Sequence, residues 1–328
     1  MFKAIQVGIG GMGNAWLHAV TVSPDVEFAG FVEVNAEIAR TQAEKYNLDP
    51  ALIFPSLDRA LAAVRADFVI VVTPPRFHRD VSITALAAGV PVLSEKPLAD
   101  TRESALDTVR KSNETGVLHV VSQNYRYRTP IQTLKKVLDG KTLGPVASVT
   151  VEFFRGPHFG GFREEMPYPL ITDMSIHHFD LMRFLLDADP ISIFGRSWNP
   201  PWSWFGGDAS ASVLLEFPKN VILSYNGSWC SNGGETSWNA NWRFDCEKGV
   251  LALQDDLVYR RVNGEEAVQI PPVPMEQQNQ AFVLRQFCAA LESGHAPRTT
   301  CQDNIKSLGI VFDTITSFAT GQTVRCAT

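Results

Sequence analysis

Over the first third of the chain, apolar residues fall in short runs separated by helical stretches. The runs are Ala4 to Val7, Glu27 to Val32, Phe68 to Val72, Pro91 to Leu93 and Leu118 to Val121, the length and β-branched content of buried strands. Between them lie helical patterns at Asn14 to Val22, Glu37 to Tyr46, His78 to Ala88 and Arg102 to Thr115, with Gly89 and Gly116 placed where C-terminal glycines stop helices. This alternation predicts βαβ units and a parallel, doubly wound sheet. Beyond Gln123 the pattern changes. A helical stretch from Ile131 to Leu138 precedes a long strand, Val146 to Phe154. Two hairpins follow, Ala211 to Phe217 with Val221 to Tyr225, and Leu257 to Val262 with Glu266 to Ile270, the second turning at Asn263-Gly264. The second half is therefore expected to be an α+β domain with a mainly antiparallel sheet. Two closing amphipathic segments, Gln277 to Leu291 and Asp303 to Phe318, are expected to be helices covering that sheet or the domain junction. At 328 residues the chain exceeds a usual single core, and the expected domains are 1–122 and 123–328.

Composition narrows the partners. A hydrophobic content of 45% with 20% charged residues is that of an ordinary globular protein. A net charge of -6 opposes nucleic acid or an anionic membrane surface as the main partner, so a small molecule is expected. The five cysteines are widely spaced and form no CxxC pair, which fits reduced thiols and no structural metal. Met1 to Val7 reads as a strand rather than a leader, and no apolar run is long enough to span a bilayer, so a cytoplasmic location is expected.

The first strand enters Gly8-x-Gly10-x-x-Gly13, which opens a helix, and Glu33 closes the next strand twenty residues after Gly13. A glycine turn alone is weak evidence. In this setting it is the fingerprint of dinucleotide binding: Gly8, Gly10, Gly11, Met12 and Gly13 bring backbone N–H groups to a pyrophosphate, and Glu33 can accept from the adenosine ribose hydroxyls. A 2′-phosphate would meet the Glu33 charge, so NAD is expected over NADP. Further on, Glu95-Lys96-Pro97 ends a strand where open α/β sheets bind ligands. Lys96 is the first candidate for chemistry.

A second constellation lies in the helical stretch Asp173 to Leu185. At 100° per residue Asp173, His177 and Asp180 share one stripe, while His178 falls among Met174, Leu181, Met182 and Leu185. His177, with a carboxylate about one turn to either side, has the surroundings of a general base. His178 reads as a hydrogen-bonded structural residue. On spacing alone, the trio could equally be a solvated helix face.

Taken in order, Gly8 to Gly13, Val71-Val72-Thr73-Pro74-Pro75-x-x-His78, Glu95-Lys96-Pro97 and Asp173-x-x-x-His177 resemble the glucose-fructose oxidoreductase/inositol dehydrogenase/rhizopine-catabolism (Gfo/Idh/MocA) family. The resemblance covers essentially the whole chain. It implies a Rossmann domain, a C-terminal domain with a large open sheet, and hydride transfer between a nicotinamide cofactor and a sugar or cyclic polyol. Lys96 would bridge nicotinamide ribose and reacting hydroxyl, His177 would be the acid/base and Asp173 its partner, also within reach of substrate. Thr73, Pro74 and His78 would line the cofactor groove, with Glu95 near the ribose. Ser175 departs from the pattern, since many members have glycine there, and this bears on the local fit of substrate.

Six of the seven tryptophans lie in the second half, a composition that suits pyranose faces and equally a sheet-mediated subunit interface. By family analogy Arg155 and His158, in the glycine-rich loop after Val146 to Phe154, are expected substrate contacts, as is Asn124. The combined expectation is an NAD-dependent oxidoreductase of a ring hydroxyl, forming a homodimer or homotetramer through the C-terminal sheet. Reduction of a keto-sugar, a non-catalytic NAD-binding sensor and a glycosidase using tightly held NAD are the alternatives.

Overall fold

The structure is a computed structural model and describes residues 1–326. The chain divides into two compact units, 1–124 with 277–305, and 125–276 with the residues from Lys306 onward.

The first unit is built on six strands, β1 (Phe2–Val7), β2 (Val26–Val32), β3 (Ile53–Phe54), β4 (Phe68–Val71), β5 (Val92–Glu95) and β6 (His119–Ser122). All neighbours are parallel, in the order β3-β2-β1-β4-β5-β6. Helices α1 (Gly13–Thr21), α2 (Ala36–Tyr46), α3 (Leu57–Ala63), α4 (His78–Ala87) and α5 (Arg102–Thr115) make the connections. Ile5, Val7, Val69, Val71 and Val92 pack with Leu57, Ala60, Ala85 and Leu86 into one core, while Ile9, Leu17 and Phe31 begin another. The strand order reverses between β1 and β4, and the carboxyl ends at such a switch point form the ligand crevice of this architecture.

A single boundary at 122/123 does not describe this division, because residues 277–305 belong to the first unit. The reason is packing. Helix α8 (Asn279–Ser293) buries Val283, Leu284 and Phe287, and the Phe287 ring lies edge-on to Phe68 of β4 at 5.0 Å. Backbone around Thr299 and Thr300 then pairs with β6 through Val120 and Val121. Both closing segments are helical, as their periodicity predicts, but the first covers the parallel sheet.

The second unit contains α6 (Thr129–Asp139), α7 (Ile176–Leu186), the later part of α9 (Cys301–Thr320) and nine strands. The strands are β7 (Val146–Phe154), β8 (Ser192–Trp198), β9 (Ser210–Phe217), β10 (Val221–Ser228), β11 (Asn241–Cys246), β12 (Gly249–Gln254), β13 (Leu257–Val262), β14 (Val268–Gln269) and β15 (Val324–Arg325). Their order is β14-β13-β12-β11-β7-β10-β9-β8-β15. Pairing is antiparallel except between β7 and β10. Alternation divides the faces: Val149, Val151, Phe153, Leu223, Tyr225, Trp242 and Phe244 are buried, whereas Leu214, Ile222, Phe194 and Trp198 on the opposite face are exposed. A π-helical turn, Leu170–Ser175, runs directly into α7. No helix among the described residues is long and apolar enough to cross a membrane.

Two wholly buried histidines make the fold acid-sensitive. Burial pushes His119 on β6 and His178 on α7 down to about 3. An unfolded chain takes up these protons near pH 6.5, so it binds more protons than the folded one between there and pH 3, and stability falls as pH drops through that window. The thermal midpoint is therefore expected to decline already between pH 6.5 and 5, above the ordinary carboxylate range. A midpoint flat or rising across that interval would refute the assignment.

Candidate functional site

The glycine loop sits at the switch point, and its backbone conformation explains its composition. Gly8 has φ +90°, and a Cβ there would stand 2.8 Å from the Val72 carbonyl oxygen. A Cβ on Gly13 would stand 2.6 Å from the Gly8 carbonyl oxygen, so the turn closes only without side chains at both ends. Gly10 would meet only the Ile38 side chain, and Gly11 nothing. Met12, 47% exposed, precedes the first residue of α1. Gln6, buried in β1, ties the turn from below: its Nε2 donates to the carbonyls of Gly8 and Gly13, each at 3.0 Å. A lone polar residue inside an apolar strand just before the glycines was the available signal for that brace.

Glu33 lies one residue beyond β2. Its Oε2 accepts from the Ile9 N–H at 3.3 Å and its Oε1 from the Asn35 N–H at 3.0 Å, so the carboxylate is held beside the glycine loop. Each oxygen keeps a lone pair for a further donor such as a ribose hydroxyl. A side-chain-free turn at a helix start, with an anchored carboxylate beside it, fits an adenine dinucleotide.

Two of the residues expected at the cofactor groove, His78 and Glu95, are buried. His78, at the start of α4, is buried, with Nδ1 and Nε2 each 2.7 Å from a carbonyl oxygen, those of Pro97 and Thr73. Carbonyls only accept and burial lowers the ring's pKa, so the neutral imidazole donates through one nitrogen at a time between the β4 and β5 loops. Thr73 and Pro74 follow β4 directly. Glu95, the last residue of β5, is buried as well. It accepts from Trp16 Nε1–H at 2.9 Å, Gln280 Nε2–H at 3.4 Å and the Lys96 N–H at 3.1 Å. Burial pushes its carboxyl up. Glu95 thus links β5 to α1 and α8. Trp16 and Gln280, far from it in sequence, carried no signal of this role. Lys96 follows it immediately, with a cis peptide to Pro97.

In the second unit Asp173 lies in the π-helical turn and His177 in the first turn of α7. The wider π turn, closed by i→i+5 bonds, means that a constant 100° step does not carry from one to the other. Asp173 Oδ2 accepts from Arg163 Nε at 2.7 Å. His177 is buried, and its ring stacks on Tyr125 at 4.0 Å with 12° between planes. Asp180 is not the second orienting carboxylate expected from the spacing. Its oxygens accept from Arg126 Nε and Nη2, both at 2.6 Å, and from Ser307 Oγ at 2.7 Å, all in the interior.

His178 is an interior residue, as its apolar stripe suggests. Its Nε2 lies 3.4 Å from the Trp238 carbonyl and its Nδ1 3.2 Å from the Tyr225 hydroxyl. A carbonyl only accepts, so Nε2 carries the hydrogen and Tyr225 donates to Nδ1. The Tyr225 hydroxyl is also 2.9 Å from Ser175 Oγ, which places the departure from glycine at Ser175 inside the packing network. Asn124 is buried at the start of a 3-10 turn, Asn124–Tyr127. Arg155 follows β7 directly, and its Nη1 donates to the Thr236 carbonyl at 2.9 Å while Nη2 pairs with Glu235 at 3.1 Å. His158 is exposed and stacks on Trp204 at 3.8 Å. Among the described residues no group of three His, Cys, Asp or Glu side chains could hold a metal ion.

A doubly wound parallel sheet with a glycine cradle at its switch point defines a dinucleotide-binding protein. The chain belongs to the Gfo/Idh/MocA oxidoreductases: residues 2–123 match the oxidoreductase family with an NAD-binding Rossmann fold, and residues 131–252 match the family's C-terminal domain. It is 26% identical over 343 residues to a D-apiose dehydrogenase of Paraburkholderia graminis, covering 99% of this chain and 89% of that one. It is 24% identical to a 1,5-anhydro-D-fructose reductase of Ensifer adhaerens, covering 98% of both. Among solved structures, an Agrobacterium radiobacter oxidoreductase in complex with NAD+, L-tartaric acid and magnesium superposes with a TM-score of 0.90 at 22% identity, over 99% of this chain and 98% of that one.

Proposed function

We propose that this protein transfers hydride between NAD and a ring hydroxyl or ketone of a sugar, sugar derivative or cyclic polyol. The observation that carries the reading is the buried His177, stacked on Tyr125 in a chain whose other unit holds the side-chain-free glycine turn from Gly8 to Gly13. The relatives named as sugar dehydrogenase and sugar reductase support the substrate class. Bound NAD supplies the hydride acceptor. As the carbon gives up hydride its hydroxyl must lose a proton, and a ring nitrogen of His177 takes it. Lys96 stabilises the charge that develops on that oxygen, and Asp173 together with Arg163 orients substrate hydroxyls. In the reverse direction the imidazolium returns the proton to the new alkoxide.

The reading is tested by following NADH absorbance when protein and NAD meet inositols, pyranoses, glycosides and anhydro-sugars, and NADH loss with the matching ketones. Turnover confined to one such class supports it. Binding of NAD with no redox change in either direction across the panel would refute it.

The same proposal sets cofactor choice at Glu33, whose fixed carboxylate repels a 2′-phosphate. Glu33→Ala is expected to weaken NAD about tenfold and to narrow its advantage over NADP. A wild-type preference for NADP would contradict it. We also propose that a second copy of the chain covers the exposed sheet face bearing Phe194, Trp198, Leu214 and Ile222. A monomeric mass by light scattering at micromolar concentration would count against this.

A further inference from the structure

The Tyr125 ring has two close planar neighbours. The His177 imidazole stacks 4.0 Å from its centroid, tilted by 12°. The Arg128 guanidinium carbon lies 3.3 Å from the same centroid. Two planar groups at those distances on one face would interpenetrate, so they flank the phenol and form a three-layer stack of guanidinium, phenol and imidazole. Two of its layers are held from the side: Arg128 Nη1 donates to Asn239 Oδ1 at 3.0 Å, and the Tyr125 hydroxyl points to Met174 Sδ at 4.0 Å. Tyr125 and Asn239 are both buried.

We propose that Tyr125 and Arg128 are positioning residues for His177: the phenol fixes the plane of the imidazole, and the guanidinium on its far face keeps the imidazole neutral and able to accept a proton. This inference rests on His177 being the acid/base group proposed above. An electron-rich ring face attracts a cation, so a tyrosine alone would favour imidazolium and leave less of the ring neutral and able to accept a proton. Arg128 reverses the balance. It draws the ring's electrons to its own side, and it places a permanent positive charge in line with any charge that forms on His177.

The charged side chains of α7 and the turn before it have partners of their own. On α7 and the preceding turn, Asp180 is matched by Arg126 and Asp173 by Arg163, while the adjacent His178 is held uncharged by burial. Arg183 on the same helix pairs with Asp189. The field of Arg128 reaches this cluster, since it also opposes protonation of His178.

The test is a titration of the His177 ring by long-range nitrogen–proton NMR on protein labelled at its seven histidines, with the signal assigned by its loss in His177→Asn. Relative to wild type, Arg128→Gln is expected to raise the His177 midpoint by about half a unit to one unit, the size of a single charge felt through protein, whereas Tyr125→Leu, which removes the ring face that favours imidazolium and leaves the Arg128 charge, is expected to leave it level or lower it. The acid limb of kcat should move with the midpoint in each variant. Arg128→Lys, which keeps the charge, and Tyr125→Phe, which keeps the ring, are expected to titrate close to wild type. These two conservative variants also guard against loss of folding in the others. Unchanged titration in Arg128→Gln, or equal shifts in Arg128→Lys and Arg128→Gln, would overturn the proposal. If instead the midpoints shift as expected but His177→Asn turns over normally, the stack stands and the catalytic reading of His177 falls.

Discussion

Turnover by His177→Asn is expected to drop by about 10² to 10⁴, the usual worth of a positioned general base, while NAD affinity stays nearly constant. The separation follows from where the groups lie. The glycine cradle and Glu33 belong to the first unit, and His177 to α7 in the second. Asparagine is planar and polar, so it can occupy the place beside Tyr125 without opening a large cavity. What it lacks is a nitrogen that can take and return a proton at neutral pH. Measuring kcat on the best compound of the panel, alongside NAD binding by calorimetry, separates the two quantities. If turnover stays within about tenfold of wild type, proton transfer occurs elsewhere; if NAD binding collapses as well, the residue supports the fold and the kinetic argument is lost.

The largest expected loss of stability comes from Arg126→Ala. Asp180 lies almost wholly out of water, and both its oxygens accept from the Arg126 guanidinium. Arg126 is itself buried, with Phe184 packed at 5.4 Å from its guanidinium carbon. Removing the arginine leaves a buried carboxylate facing Ser307 Oγ at 2.7 Å and opens a space where the guanidinium lay. Breaking such a pair from one side costs about 3–5 kcal/mol, far more than an exposed pair. Urea unfolding of the two proteins checks it. Arg126→Met combined with Asp180→Leu is expected to recover most of the loss, because the charge to be buried disappears along with its partner. A loss under about 1 kcal/mol for Arg126→Ala would mean that water reaches Asp180.

Much of the fold was legible because its signals are local. The βαβ rhythm, the glycine stops and the run Val146 to Phe154 place the corresponding elements to within a few residues. Strands β11 and β12 were missed although Trp242 and Phe244, and Leu251 and Leu253, alternate inward as a half-buried strand requires. The two-residue β3 is too short to carry a period. The expected site residues are legible as residue types, but their partners are not. Nothing near Glu95 in sequence indicates that Trp16 and Gln280 will claim its carboxylate. Nothing in the helical spacing of Asp180 indicates an arginine 54 residues earlier in the chain. Helical projection also assumed one period through Asp173, where the backbone widens into a π turn.

The return of residues 277–305 to the first unit has a consequence for how the protein is made. The parallel sheet leaves the ribosome first, yet Phe287, which covers Phe68, and Gln280, which reaches Glu95, follow only after strands β7 to β14 of the mixed sheet have been synthesised. Until then Phe68 lacks its ring partner and Glu95 lacks one of its donors. The nucleotide-binding half therefore begins first and finishes late, and a nascent chain halted near residue 276 should be a far better client for chaperones than one released past residue 305.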